Sequence, residues 1–114
     1  MTTEEIQKRI REFRDARDWM QFHNPKDMAT AISIEAAELQ EQFLWVDSTQ
    51  ADVRAHERLD KVKEEIADIA IYVFELADNL GIDLLAAMSE KLKRNDEKYP
   101  VSKAKGNAAK YTEL

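Results

Sequence analysis

The apolar residues of this chain recur at spacings of three and four almost from end to end, which is the period of an α-helix. Ile6, Ile10, Phe13 and Met20 form one such stripe and predict a first helix from about Glu4 to Phe22. Asn24-Pro25-Lys26-Asp27 then reads as a stop and restart, with Asn24 as N-cap, Pro25 at the first helical position and Asp27 in the first turn. The second helix runs on to about Leu44. The polar stretch from Asp47 to Asp60 holds the expected loop, with Thr49 and Asp52 placed to cap an early helical start. Leu59, Val62, Ile66, Ile69, Val73, Leu76 and Leu80 mark a third helix from Leu59 to Leu80. Gly81 supplies its C-terminal stop, Asp83 caps a fourth helix reaching about Lys98, and Pro100 ends it. Four helices with short connections predict an all-α fold, an antiparallel four-helix bundle. The helical domain spans residues 1–100. Residues 101–114, with Lys103, Lys105, Gly106 and Lys110, form a basic C-terminal tail to which the pattern assigns no element.

A chain of 114 residues makes one domain with a modest core, so oligomerisation is expected to complete it, as a homodimer or homotetramer. Two glycines and two prolines suit long helices with few turns. The absence of cysteine removes disulfides, thiolate zinc sites and cysteine nucleophiles together. A net charge of −6 argues against nucleic acid as a partner, because such binding depends on neutralising phosphates. A small phosphate ligand remains compatible with it where a bound cation supplies the positive charge. No apolar run approaches the roughly 18 residues of a membrane span, and Met1-Thr2-Thr3-Glu4-Glu5 does not resemble a signal peptide. The expectation is a cytoplasmic protein without a membrane partner.

Acidic pairs three residues apart are common among 23 carboxylates, so spacing by itself selects nothing. The surroundings do. From Met28 to Leu39 the only charges are Glu35 and Glu38, and Glu35 lies in the middle of the apolar stripe among Met28, Ala31, Ile32 and Leu39. From Ile66 to Ala77 the only charges are Asp68 and Glu75, while Glu65 and Asp68 step successively to one side of the third stripe. A carboxylate among aliphatic side chains is costly to keep ionised unless it is paired or bound to a metal. Lys61 lies one turn before Glu65, and the second helix offers no comparable cation near Glu35. Glu35, Glu38, Glu65 and Asp68 therefore suggest a hard divalent ion, Mg²⁺ or Mn²⁺ in its place, rather than zinc. The competing explanation is a partly buried salt-bridge network, or boundary residues that reach solvent. A di-iron bundle would want Glu-x-x-His motifs, and Met20 and Val53 stand where the glutamates before His23 and His56 would be.

Trp19 and His23 lie one turn apart, on a different face of the first helix from Ile6, Ile10 and Phe13, and Trp45 ends the second helix. With Phe22 they are either packing residues at a subunit interface or a stacking platform for a nucleobase, with His23 as polar reader. Tyr72, one turn beyond Asp68, is either a core aromatic or part of the same site. Lys91, Asn95 and Lys98 share one face of the fourth helix, as a solvated stripe or as donors to phosphate oxygens.

Glu35-Ala36-Ala37-Glu38 followed by Glu65-Ile66-Ala67-Asp68 resembles the ExxE…ExxD signature of the MazG-like, all-α nucleotide pyrophosphohydrolases. The segment Arg17 to Lys26, Phe43-Leu44-Trp45, Tyr72 after Asp68, and Asn95 with Lys98-Tyr99-Pro100 are similar to the dCTP pyrophosphatase branch of that family. Where the broader family often carries a further glutamate just before the first motif acid, this chain has Ile34, as the dCTP branch tolerates. The resemblance implies Mg²⁺ held by Glu35, Glu38, Glu65 and Asp68. It implies cleavage of a (deoxy)nucleoside triphosphate between the α- and β-phosphates to monophosphate and pyrophosphate. Glu38, or else Glu35, is the expected general base. By resemblance Trp19, Phe22, His23 and Trp45 line the nucleoside pocket, Tyr72 touches substrate, and Lys91, Asn95 and Lys98 serve the phosphates. The implied base is cytosine, with dATP or modified nucleotides as alternatives. Against this stand two non-catalytic readings: a helical dimerisation module, favoured by Ile71 and Phe74 opposite the main stripe of the third helix, and a nucleotide sensor without hydrolysis.

Overall fold

Thr2 opens the first helix, α1 (Thr3–Ala16), with a reciprocal cap. Its hydroxyl accepts from the Glu5 amide at 3.1 Å while the Glu5 carboxylate accepts from the Thr2 amide at 3.3 Å. Asn24 caps α2 (Pro25–Glu41) by accepting from the Asp27 amide at 2.9 Å, with Pro25 in the first turn as its sequence position predicts. A short α3 (Ala51–Glu57) leads into α4 (Leu59–Asn79), and α5 (Leu84–Lys98) and α6 (Val101–Ala104) follow. The computed structural model describes residues 1–114 and holds helices and turns but no strand, so the fold is all-α.

The chain divides into two units, Met1–Leu80 and Gly81–Leu114. In the first, α4 packs along α2 and, over a shorter length, along α1, and Ile10, Met28, Val62 and Ala77 are the buried apolar residues. Polar clamps tie α1 to α4: Gln7 donates to the Phe74 carbonyl at 3.2 Å, Arg11 pairs with Asp78 at 2.7 Å, and Arg14 donates to the Asn79 side-chain oxygen at 2.9 Å. In the second unit Asp83 caps α5 through the Ala86 amide at 3.0 Å, and Gly81 takes the positive φ of 68° that a chain reversal needs. The tail beyond Pro100 is not featureless. It forms α6 and a 3₁₀ turn at Tyr111–Glu113, and the Tyr111 ring stands edge-on to Tyr99 at 6.0 Å.

Three boundaries differ from the periodic reading. The first helix ends at Ala16 rather than Phe22, because Asp18 adopts φ 55°. The Asp18 amide bonds the Asp15 carbonyl and the Trp19 amide returns to the Arg14 carbonyl, both at 3.1 Å, which is a Schellman stop without a glycine. Aspartate is one of the few side chains that tolerates this conformation, so the stop is invisible to a glycine search. A 3₁₀ turn at Met20–Phe22 then carries the chain to Asn24. The second helix ends at Glu41 rather than Leu44, with the following amides reaching back three residues and Trp45 at φ 64°. Asp47, not Thr49, caps the next turn by accepting from the Thr49 amide at 3.1 Å. No helix is long and apolar enough to cross a membrane.

Candidate active site

Glu35 and Glu38 come from the middle and last turns of α2, and Glu65 from the second turn of α4, at the seam where these two helices pack. Carboxylate oxygens of the three lie within 4.8 Å of one another. Glu65 is only 3% exposed, and Lys61 reaches one of its oxygens at 3.2 Å. The other oxygen of Glu65, and one of Glu35, are buried without any hydrogen-bond partner. Two orphaned carboxylate oxygens are costly to bury, and a small divalent cation with an all-oxygen preference relieves that cost. The donor set fits such an ion.

Burial pushes the Glu35 carboxyl up to about 7, helped by a hydrogen bond shared with Glu38 and by the charges of Glu38, Asp68 and Glu65. Asp68 is exposed and stands outside the close trio, near enough to act on Glu35. Burial and the surrounding carboxylates, Glu35 first among them, raise the Tyr72 phenol above its ordinary value and keep it a neutral donor.

Beside the acids opens a cavity of about 370 Å³, in the size range of small-ligand sites. Glu35 and Asp68 belong to its lining, as do Trp19, His23, Tyr72 and Glu75. The Schellman stop positions the aromatic wall. It folds Trp19 back over α1, edge-on to Phe13 at 5.7 Å, and sets the Trp19 and Tyr72 rings each 6.3 Å from His23. Trp19, His23, Tyr72, Glu35 and Asp68, predicted separately, thus meet in one place. Phe22 (61% exposed) and Trp45 (93% exposed) point to solvent and are not part of this lining. Lys91, Asn95 and Lys98 stand on α5 of the second unit, where the Lys98 ammonium lies 4.9 Å from the Tyr111 ring.

The sequence pattern does not single out Arg14, Glu75 and Asn79 as residues of the site. His23 Nδ1 lies 2.8 and 3.0 Å from the two Glu75 oxygens, the Asn79 amide donates to Glu75 at 3.1 Å, and Arg14 is buried beside them. Glu75 does carry a signal, as one of two charges in an otherwise apolar window of α4. Arg14 and Asn79 carry none, because their partners lie far along the chain.

Residues 30–114 match the profile of the MazG-like family. The chain is 36% identical to dCTP pyrophosphatase 1 of Mus musculus, over 99% of this chain and 68% of that relative. It is 34% identical to dCTP pyrophosphatase 1 of Homo sapiens over the same shares. The solved structure of a pyrophosphatase from Archaeoglobus fulgidus aligns with a TM-score of 0.82 at 43% identity, covering 85% of this chain and 91% of that one.

Proposed function

Because this chain belongs to the MazG-like family and is a nucleotide pyrophosphohydrolase, we propose that it cleaves a (deoxy)nucleoside triphosphate between the α- and β-phosphates in a Mg²⁺-dependent reaction. The preferred substrate is dCTP or a related deoxycytidine nucleotide, the substrate class in the names of its curated relatives. The observation that carries this reading is the convergence of Glu35, Glu38 and Glu65, with two buried, unpartnered oxygens, beside an aromatic cavity.

Glu35, Glu38, Glu65 and Asp68 hold the ion, with Mn²⁺ as a substitute. When bound, the ion neutralises the polyphosphate, polarises the attacked phosphorus and makes the attacking water more acidic. Glu38 accepts that water's proton, with Glu35 as the second candidate. Tyr72, neutral and one turn from Asp68, donates its hydroxyl to the substrate. Trp19 stacks on the base and His23 reads its edge, while Phe22 and Trp45, exposed outside this cavity, would reach the base only on assembly with a second subunit. Lys91, Asn95 and Lys98 supply donors to phosphate oxygens.

We assign residues 1–100 to the catalytic domain, an antiparallel four-helix bundle, and 101–114 to its basic tail. Leu85, Met88 and Leu92 form an exposed apolar stripe on α5, and Ile34 and Ile66 are exposed on α2 and α4. Such exposure favours a homodimer or homotetramer. The cytoplasm is the compartment we propose for it.

The test is a panel of dNTPs and NTPs with Mg²⁺, measuring phosphate release with and without added inorganic pyrophosphatase. Phosphate that appears only with the helper enzyme, most from dCTP, is the expected result. Release without it would mean a different phosphohydrolase. No release from any nucleotide would return the chain to a dimerisation module or a silent nucleotide sensor.

A further inference from the structure

Glu75 is 3% exposed, lines the cavity and takes no part in the acid trio. Its partners are defined. Both of its oxygens face His23 Nδ1, at 2.8 and 3.0 Å, and one also receives the Asn79 amide at 3.1 Å. The Asn79 oxygen accepts from Arg14 at 2.9 Å, so only its NH₂ group is left to face Glu75. The same Arg14 guanidinium lies 3.9 Å from Glu75 and supplies the positive charge that a buried carboxylate needs. A carboxylate that only accepts draws an imidazole proton to Nδ1. Nε2 has no protein partner and, unlike the orphaned oxygens of Glu35 and Glu65, is not sealed from solvent.

We propose that Glu75 is a positioning residue that holds His23 as the Nδ1–H tautomer, so that Nε2 presents a lone pair to the cavity and selects bases with an exocyclic amino group. The inference rests on the cavity being the base site. A lone pair there accepts from the amino group of cytosine or adenine and repels the carbonyl that uracil and thymine carry at the same edge. Trp19 and Tyr72 flank the same imidazole and are indifferent to that edge, since every base has a π-face. Discrimination then lies in one nitrogen, and its orientation is set from α4 by Glu75 and Asn79.

The first experiment is ¹⁵N NMR of the histidine-labelled protein at pH 8, with His56→Ala removing the other imidazole. The expected spectrum has Nδ1 protonated and Nε2 bare. In Glu75→Gln the single acceptor oxygen goes to Asn79 and the new NH₂ faces His23, so the proton is expected to move to Nε2. The second experiment is calorimetric binding of dCMP and dUMP, which needs no turnover and so remains readable if hydrolysis is absent. Wild type is expected to favour dCMP about tenfold and Glu75→Gln to lose that preference. In turnover, the dCTP-to-dUTP ratio of kcat/KM should fall likewise in this variant, through KM more than kcat.

A wild-type His23 protonated at Nε2, or at both nitrogens, overturns the proposal. So does equal or absent binding of the two monophosphates, or a preference that survives the loss of the tautomer. The wild-type spectrum and the wild-type preference decide the matter even if Glu75→Gln fails to fold.

Discussion

Glu35 sets stability against function. Its carboxyl is pushed up to about 7 by burial and by neighbouring acids, well above the ordinary 4.5. Between those two values the folded chain holds more protons at this group than the unfolded chain, so its contribution to stability falls as pH rises through the window. The metal-free protein should therefore lose melting temperature between pH 5 and pH 8, and Mg²⁺ should restore most at the upper end, since it displaces the proton. Calorimetric melts with and without Mg²⁺ check both signs. Glu35→Gln removes the repulsion, so at pH 8 the metal-free variant should melt higher than wild type yet show little response to Mg²⁺. Glu38→Gln and Glu35→Gln should each lower kcat/KM by at least about 10²-fold, the range for loss of a general base. Full turnover in both would remove this pair from catalysis.

Among the elements, the turn after α1 decides the site. Asp18 at φ 55° stops the helix and brings Trp19 back onto Phe13 beside His23. Glycine adopts that conformation freely, whereas a β-branched residue is strained there by about 1–2 kcal/mol. Asp18→Gly should fold and bind as wild type does. Asp18→Val should lose about that much stability in urea titration and raise KM for the nucleotide, because the helix that relieves the strain carries Trp19 away. Equal stability of the two variants would mean that the turn is not held at positive φ in solution.

For the molecule as a whole, the exposed stripe of Leu85, Met88 and Leu92 bears on assembly. Leu92→Glu places a charge at the most exposed of the three and should shift light-scattering mass toward the monomer. It should also lower melting temperature in a way that depends on protein concentration. An unchanged mass would direct the search for an interface to Ile34 and Ile66 instead.

Helices α1, α2, α4 and α5, two of which carry the acids, are legible from residue types alone because helical period and capping are local properties. Helices α3, in the polar stretch expected to hold a loop, and α6, in the tail, are not. Ile10 on α1, Met28 on α2 and Val62 on α4 reach the core as their spacing requires. Leu59, Ile66 and Leu80 of the same α4 stripe are exposed, whereas Ala77, outside it, is buried. Glu35 and Glu38 stand out from residue types alone because charge within an apolar window is anomalous wherever the helix packs. The caps at Asn24 and Asp83 are readable because a cap is fixed by its own few neighbours.

Only the tertiary structure decided which side chains meet. The bond from His23 to Glu75 spans 52 residues and that from Arg14 to Asn79 spans 65, beyond any periodicity. It also decided that Trp19 and Tyr72 face the cavity while Phe22 and Trp45 do not. Those choices depend on the left-handed turn at Asp18 and on how α1 and α2 seat against α4. A sequence determines where helices form and which faces they must hide, whereas the register between packed faces is set by the sum of contacts across them.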